Sequence, residues 1–423
     1  MKKPLFTAAD IFLPDFSQID GEKYACIACD QFTSEPKYWQ KVEDLVGSAP
    51  SLYRIILPEC YLESEREEAL SARIADIRKH MVAYREGLFT CHKDCMIYVK
   101  RTDTAGNIRR GLVGKIDLEA YCYEKGSRSP VRATEGTVLS RIPPRLRVRR
   151  GAPLEAPHVM ILIDDKDDTL FSALERAEKK TAYKFPLMLG GGHIEGYFLS
   201  EEDIAKAEDI LLQMEEGAPL PYAVGDGNHS LATAKAYYEE IKQALGEERA
   251  LSHPARYALA EIVNIHDSSL EFEPIYRVLF NVNPALLLEE MNAFAQAQTG
   301  EKEQEVTLLF GKQDGIEEER FVFPHSAHSL TVGTLQAFLD GFLQRYPEAK
   351  LDYIHGEDSV RALCRENGAI GFLFDGMKKE ELFSSVDKDG SLPRKTFSMG
   401  TSRDKRYYLE CRSIAPLGEG AQC

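Results

Sequence analysis

The sequence predicts an α/β or α+β fold with mixed sheets, a strand-turn-helix core in its middle third and a further α/β unit towards the C-terminus. Three observations predict it. Stretches with apolar residues at three- and four-residue steps alternate with short β-rich runs. The chain is 423 residues long, more than one ordinary core. Its composition, 43% hydrophobic and 28% charged, is that of a folded globular protein and excludes a disordered or collagen-like chain.

Taken in order, residues 64–86 carry Leu70, Ile74, Ile77 and Met81 at helical spacing, which predicts a helix with one buried face. Residues 95–116 read as two strands joined by a turn at Gly106. Residues 127–151 are rich in arginine, and the alternation Arg145-Leu146-Arg147-Val148-Arg149 predicts an extended strand with three guanidinium groups on one face. A buried strand at 158–163 and a helix at 167–180 follow. Gly190-Gly191-Gly192 breaks the pattern, and Ser200, ahead of Glu201, Glu202 and Asp203, predicts the N-cap of a helix reaching about residue 216. A short strand at 221–224 stops at Gly225-Asp226-Gly227, a helix follows with Leu231, Ala234, Tyr238 and Ile241 on one side, and another strand covers 257–265. The last third alternates helices at 285–297, 335–345 and 378–384 with strands at 306–310, 321–323 and 370–374. Composition places domain boundaries near 125 and 280: an N-terminal α+β region, a ligand-binding core at 126–280, and a C-terminal α/β region from 281 onwards.

With 68 acidic against 52 basic side chains, the net charge of −16 disfavours nucleic acid as a partner. No apolar run is long enough to span a membrane, and the first residues do not read as a signal peptide, so a cytoplasmic protein is expected. Nine cysteines, an odd number, then read as reduced thiols without structural disulfides.

The strongest local signal for chemistry is Asp226-Gly227-Asn228-His229-Ser230, which sets an acid, an amide and an imidazole at a strand-to-helix turn. Such a turn presents unpaired backbone N–H groups to an anion. The plainer alternative is that Asp226 caps the helix and His229 packs on a neighbour. In the arginine-rich stretch, Arg145 and Arg149 are candidates to clamp phosphate or carboxylate, although ion pairs with the surplus acids would equally explain them. Glu135, the lone acid among them, is a candidate base, with arginine neighbours expected to depress its pKa. His193, after the triple glycine, could belong to a mobile lid. The basic clusters Pro393-Arg394-Lys395-Thr396 and Arg403-Asp404-Lys405-Arg406 either close over a ligand or decorate a surface strand. Cys26, Cys29, Cys91 and Cys95 make a weak zinc pattern.

These residues resemble the bacterial domain of unknown function 1015 family, whose hallmark is a strand, Asp-Gly-His-His-Arg and a helix. The likeness continues through His253-Pro254-Ala255-Arg256-Tyr257, Tyr353-Ile354-His355-Gly356 and Pro393-Arg394-Lys395-Thr396. A more distant resemblance is to the ParB-like fold, which includes CTP-binding partition proteins and a free-serine kinase with an Asp-Gly-x-His-Arg turn. That resemblance implies a ParB-like core and matches Asp226 and His229 to the kinase's aspartate and histidine, with Glu135 a stand-in for its glutamate. Ser230 departs from it, standing where an arginine is expected.

The expectation is a phosphotransferase acting on a small hydroxylated metabolite such as serine, with ATP or ADP and Mg2+. In it Asp226 binds the metal or orients the hydroxyl, Asn228 and His229 contact phosphate with Gly227 and Ser230 in the same turn, Glu135 assists deprotonation, and Arg145 and Arg149 clamp the anion. The alternatives are a non-catalytic nucleotide or metabolite sensor, and a small-molecule phosphatase. The number of subunits is left open.

Overall fold

The computed structural model describes residues 2–156, 159–177, 180–312, 315–365, 369–400 and 404–416. The chain forms two compact units, one of Met1–Ala133, Thr137–Leu270 and Thr401–Cys423, the other of Thr134–Gly136 and Glu271–Gly400. Strands on both sides of residue 125, Ile108–Asp117 and Val131–Ala133, share one sheet of the first unit.

That sheet has ten strands and is mixed. From one edge it runs Lys180–Pro186, His193–Phe198, Ile97–Thr102, Ile108–Asp117, Tyr257–Asn264, Met160–Ile163, Tyr222–Asp226, Val131–Ala133 and Tyr121–Cys122, with Phe6–Thr7 also pairing Ile108–Asp117. Period-two alternation serves two cores here. Met96 and Tyr98 pack with Leu170, Leu211 and Leu231 from the helices Thr169–Glu175, Glu201–Gly217 and Asn228–Leu245. Ile97 and Val99 face the other way, into a cluster with Ile74, Ile77 and Met81 of the helix Glu67–Gly87. Ser200 caps its helix, accepting from the Asp203 N–H at 3.2 Å.

The second unit holds a six-stranded antiparallel sheet in the order Gly315–Ser326, Lys302–Lys312, Ile370–Leu373, Phe272–Phe280 and Lys350–His355, with Phe397–Met399 pairing the far end of Phe272–Phe280. Helices Pro284–Ala297, Thr331–Arg345, Glu357–Cys364 and Glu381–Asp389 complete it. The α/β or α+β class with mixed sheets is therefore the one observed.

Three local expectations are corrected. Arg145 to Arg149 lie in a helix, Ile142–Arg149, not a strand. Two prolines at its start fit the first turn, and Ile142 and Leu146, four residues apart, are its buried residues. The helix expected at 167–180 is Thr169–Glu175, and Lys180 opens the next strand; Glu178 and Lys179, like His158 of the strand expected at 158–163, lie outside the described residues. Seven described cysteines are free thiols but Cys91 is disulfide-bonded, against the expectation of none.

Candidate functional site

The strand Tyr222–Asp226 lies between Met160–Ile163 and Val131–Ala133, antiparallel to the first and parallel to the second. Ala223 and Val224 are fully buried, so the strand is fixed and its last residue, half-buried Asp226, is held at a defined place. Two glycines make the exit possible. A Cβ on Gly225 would lie 2.8 Å from Leu162 Cγ, and Gly227 adopts φ +81° with a Cβ position only 3.0 Å from Val159 Cα. That left-handed residue is the cap of the helix Asn228–Leu245.

Gly227 N–H donates to Asp226 Oδ1 at 2.8 Å, and the first intrahelical bond runs from Leu231 N–H to the Gly227 carbonyl at 3.0 Å. The N–H groups of Asn228, His229 and Ser230 precede that ladder at the positive end of an 18-residue helix. Asn228 Oδ1 is buried without a hydrogen-bond partner. The other oxygen of Asp226, Oδ2, lies 3.8 Å from Lys405 Nζ.

His229 Nε2 accepts the Val138 N–H at 3.2 Å, so a neutral ring carries its proton on Nδ1. Burial, and then the positive charges of Arg145 and Arg141, push its pKa down to about 4, with Asp30 opposing. At neutral pH the imidazole is an uncharged donor rather than a cation.

The turn and the arginine helix meet at one cavity of about 140 Å³. Ser230, Arg145 and Arg149 all line it. Both arginines arrive already paired: Arg145 with Glu59, and Arg149 with Glu155 at 2.5 Å, while Arg412 reaches the same Glu155 at 2.9 Å. Burial raises the Glu155 carboxyl, but Arg412 and Arg149 outweigh it and hold the pKa below its ordinary value. Arg147, on another side of the helix, pairs with Glu67 instead.

Other candidates lie elsewhere. Glu135 belongs to the second unit, where it bridges to Leu392 and accepts the backbone N–H groups of Lys395 and Thr396. Its pKa is raised, not depressed: burial is the largest effect and exceeds the pull of Lys395 and Arg277. His193 opens the strand His193–Phe198, separated from Tyr222–Asp226 by four strands of the sheet, and lies 3.7 Å from Glu195. It is not part of the cavity wall. The preceding Gly192 is packed, since a Cβ there would sit 2.2 Å from the Thr102 carbonyl oxygen, so the segment is a tight corner rather than a lid.

Of the last basic cluster, Arg403 is outside the described residues, Arg406 is buried in an ion pair with Glu261, and Lys405 meets Asp226. Sequence reasoning offered Lys405 only as part of a basic cluster and missed its pairing with Asp226. Its one available signal is the adjacency to Arg406, since neighbours on an extended segment point to opposite sides. Cys26 and Cys29 have thiol pKa values raised by burial, the reverse of what a thiolate ligand needs. No group of three or more metal-binding side chains occurs among the described residues.

Residues 16–342 match the family described as protein of unknown function, DUF1015. The chain belongs to that family. No curated protein matches it. Among solved structures, a conserved hypothetical protein from Pyrococcus furiosus is similar at 12% identity, covering 71% of this chain and 94% of that one with a TM-score of 0.36. A free serine kinase in complex with AMP is similar at 13% identity, 70% and 90% coverage and a TM-score of 0.38. SbnI with a C-terminal truncation, from Staphylococcus aureus, stands at 9%, 74% and 84%, and 0.35. No helix among the described residues of this DUF1015 member is long and apolar enough to cross a membrane.

Proposed function

We propose that the Asp226 turn binds a phosphorylated ligand and transfers a phosphoryl group from ATP or ADP to a small hydroxylated metabolite, with serine as the first acceptor to try. The observation that carries this reading is the left-handed Gly227, which ends a buried strand and opens a long helix with three N–H groups ahead of its ladder, beside the Asp226–Lys405 pair. Phosphoryl transfer needs positioning and charge neutralisation more than covalent chemistry. Backbone N–H groups and Lys405 supply the positive field, and Asp226 orients the acceptor hydroxyl.

Magnesium usually keeps several waters and takes one or two carboxylates plus phosphate oxygens, and Asp226 offers one such carboxylate. When bound, the ion neutralises charge developing on the transferred group. Asn228, whose Oδ1 has no partner in the protein, offers a polar contact at the same turn. His229 in this scheme donates from Nδ1 as a neutral group.

A non-catalytic nucleotide or metabolite sensor is the second reading, favoured by the prior pairing of Arg145 and Arg149 with carboxylates and by the serine at position 230. Incubation with ATP or ADP, magnesium and serine separates the two. Phosphoserine formation that falls at least ~100-fold in Asp226→Ala supports transfer. Saturable nucleotide binding without phosphorylated product establishes the sensor, and undiminished turnover in Asp226→Ala refutes the role of that carboxylate.

A further inference from the structure

We infer that the cavity behind the turn is a binding site for a small amphipathic monoanion, a carboxylate carrying an aromatic or branched apolar group of about benzene size. Three observations carry this. The wall is mostly apolar, with Ile55, Leu57, Met81, Val148, Leu154 and Leu231 among its residues. Its volume, about 140 Å³, is close to the roughly 150 Å³ of an apolar protein cavity that takes up benzene. Charged groups share that wall, Arg145 with Glu59 and Arg149 with Glu155, and small-molecule sites generally combine apolar lining with a few polar groups.

Those groups are not in balance. In the wall Arg145 pairs with Glu59, and Arg149 shares Glu155 with Arg412, which lies outside the wall, so that triad sets two guanidinium groups against one carboxylate. Arg149 Nε is buried and has no hydrogen-bond partner, so one donor of the guanidinium remains for an incoming oxygen. A ligand with an apolar group alone would leave that donor unmet. A bare anion would leave the apolar wall unfilled. The cavity shares Ser230 with the turn, but its binding of a monoanion does not depend on phosphoryl transfer.

Titration calorimetry of the full chain without nucleotide tests it, using phenylacetate, 2-phenylethanol and acetate. Phenylacetate should bind saturably at one site, 2-phenylethanol at least tenfold more weakly, and acetate not measurably. Val148 lies on a half-buried helix face, so Val148→Phe fills the cavity with little risk to folding and should weaken phenylacetate at least tenfold. Val148→Ala, which enlarges the cavity, should keep it. Absence of saturable phenylacetate binding, equal affinity for the alcohol, or a Val148→Phe protein that binds like the parent overturns the inference. Phenylacetate binding in a protein that makes no phosphoserine leaves it standing while refuting the transferase.

Discussion

Asp226 and Glu135, the two carboxylates that the sequence marks for chemistry, come to opposite circumstances. Asp226 ends a buried strand at a half-buried turn, where one oxygen takes a single backbone N–H and the other faces Lys405 at 3.8 Å. Glu135 takes two backbone N–H groups from the Lys395 and Thr396 loop. The carbonyls of Arg394 and Lys395 are in turn held by fully buried Arg277, at 3.1 and 2.9 Å, and Gln336 takes its Nε at 3.1 Å. The second arrangement spends its hydrogen bonds on shaping a loop that includes Lys395 at φ +59°. The first leaves donors and acceptors for a ligand. A charged residue in a basic stretch is thus no guide to chemistry until its partners are known.

The largest effect expected from this contrast is in the second unit. Arg277→Leu removes the cation that holds two carbonyls and offsets Glu135, and should cost about 3–5 kcal/mol in urea denaturation. A cost under about 1 kcal/mol would mean that Glu135 is not an anchor, and a catalytic role for it would reopen.

Next in size is the acid response of the turn. An unfolded histidine gains its proton below about pH 6.5, whereas folded His229 gains one only near pH 4. Stability from this residue is therefore complete at neutral pH and is lost as pH falls through that window, by about 2–3 kcal/mol. The difference in unfolding free energy between pH 7 and pH 4 should shrink by that amount in His229→Asn. An unchanged difference would place the ring in open solvent.

Smallest is Gly227→Ala, which forces a Cβ into the left-handed region and against Val159 Cα. It should destabilise by about 1–2 kcal/mol, seen as a lowered melting temperature. A neutral result would show that the turn relaxes freely and is not the rigid counterpart of the Glu135 loop.

Much of this was legible in the residues. The helix Glu67–Gly87, the Ser200 cap and the Asp226 turn follow from spacing and from glycine, because backbone geometry and one-sided burial are written locally. The arginine stretch misled for a local reason too. In five residues, a period of two and a helical step of four both bring positions 145 and 149 together, and only a strand adds Arg147. The structure keeps Arg145 and Arg149 at the cavity and sends Arg147 to Glu67.

Sequence by itself determined the α/β class, most elements and the turn that opens the helix at Asn228, since these rest on dihedral preferences and on the period of apolar side chains. Tertiary structure alone decided that Glu135 holds the Lys395 and Thr396 loop, that Arg145 and Arg149 come with carboxylates attached, and that Lys405 stands at Asp226 while Arg406 is buried with Glu261. Those outcomes join residues far apart in the chain, as Glu135 with Thr396 and Lys405 with Asp226 show, and they depend on burial and charge balance, which no local pattern encodes.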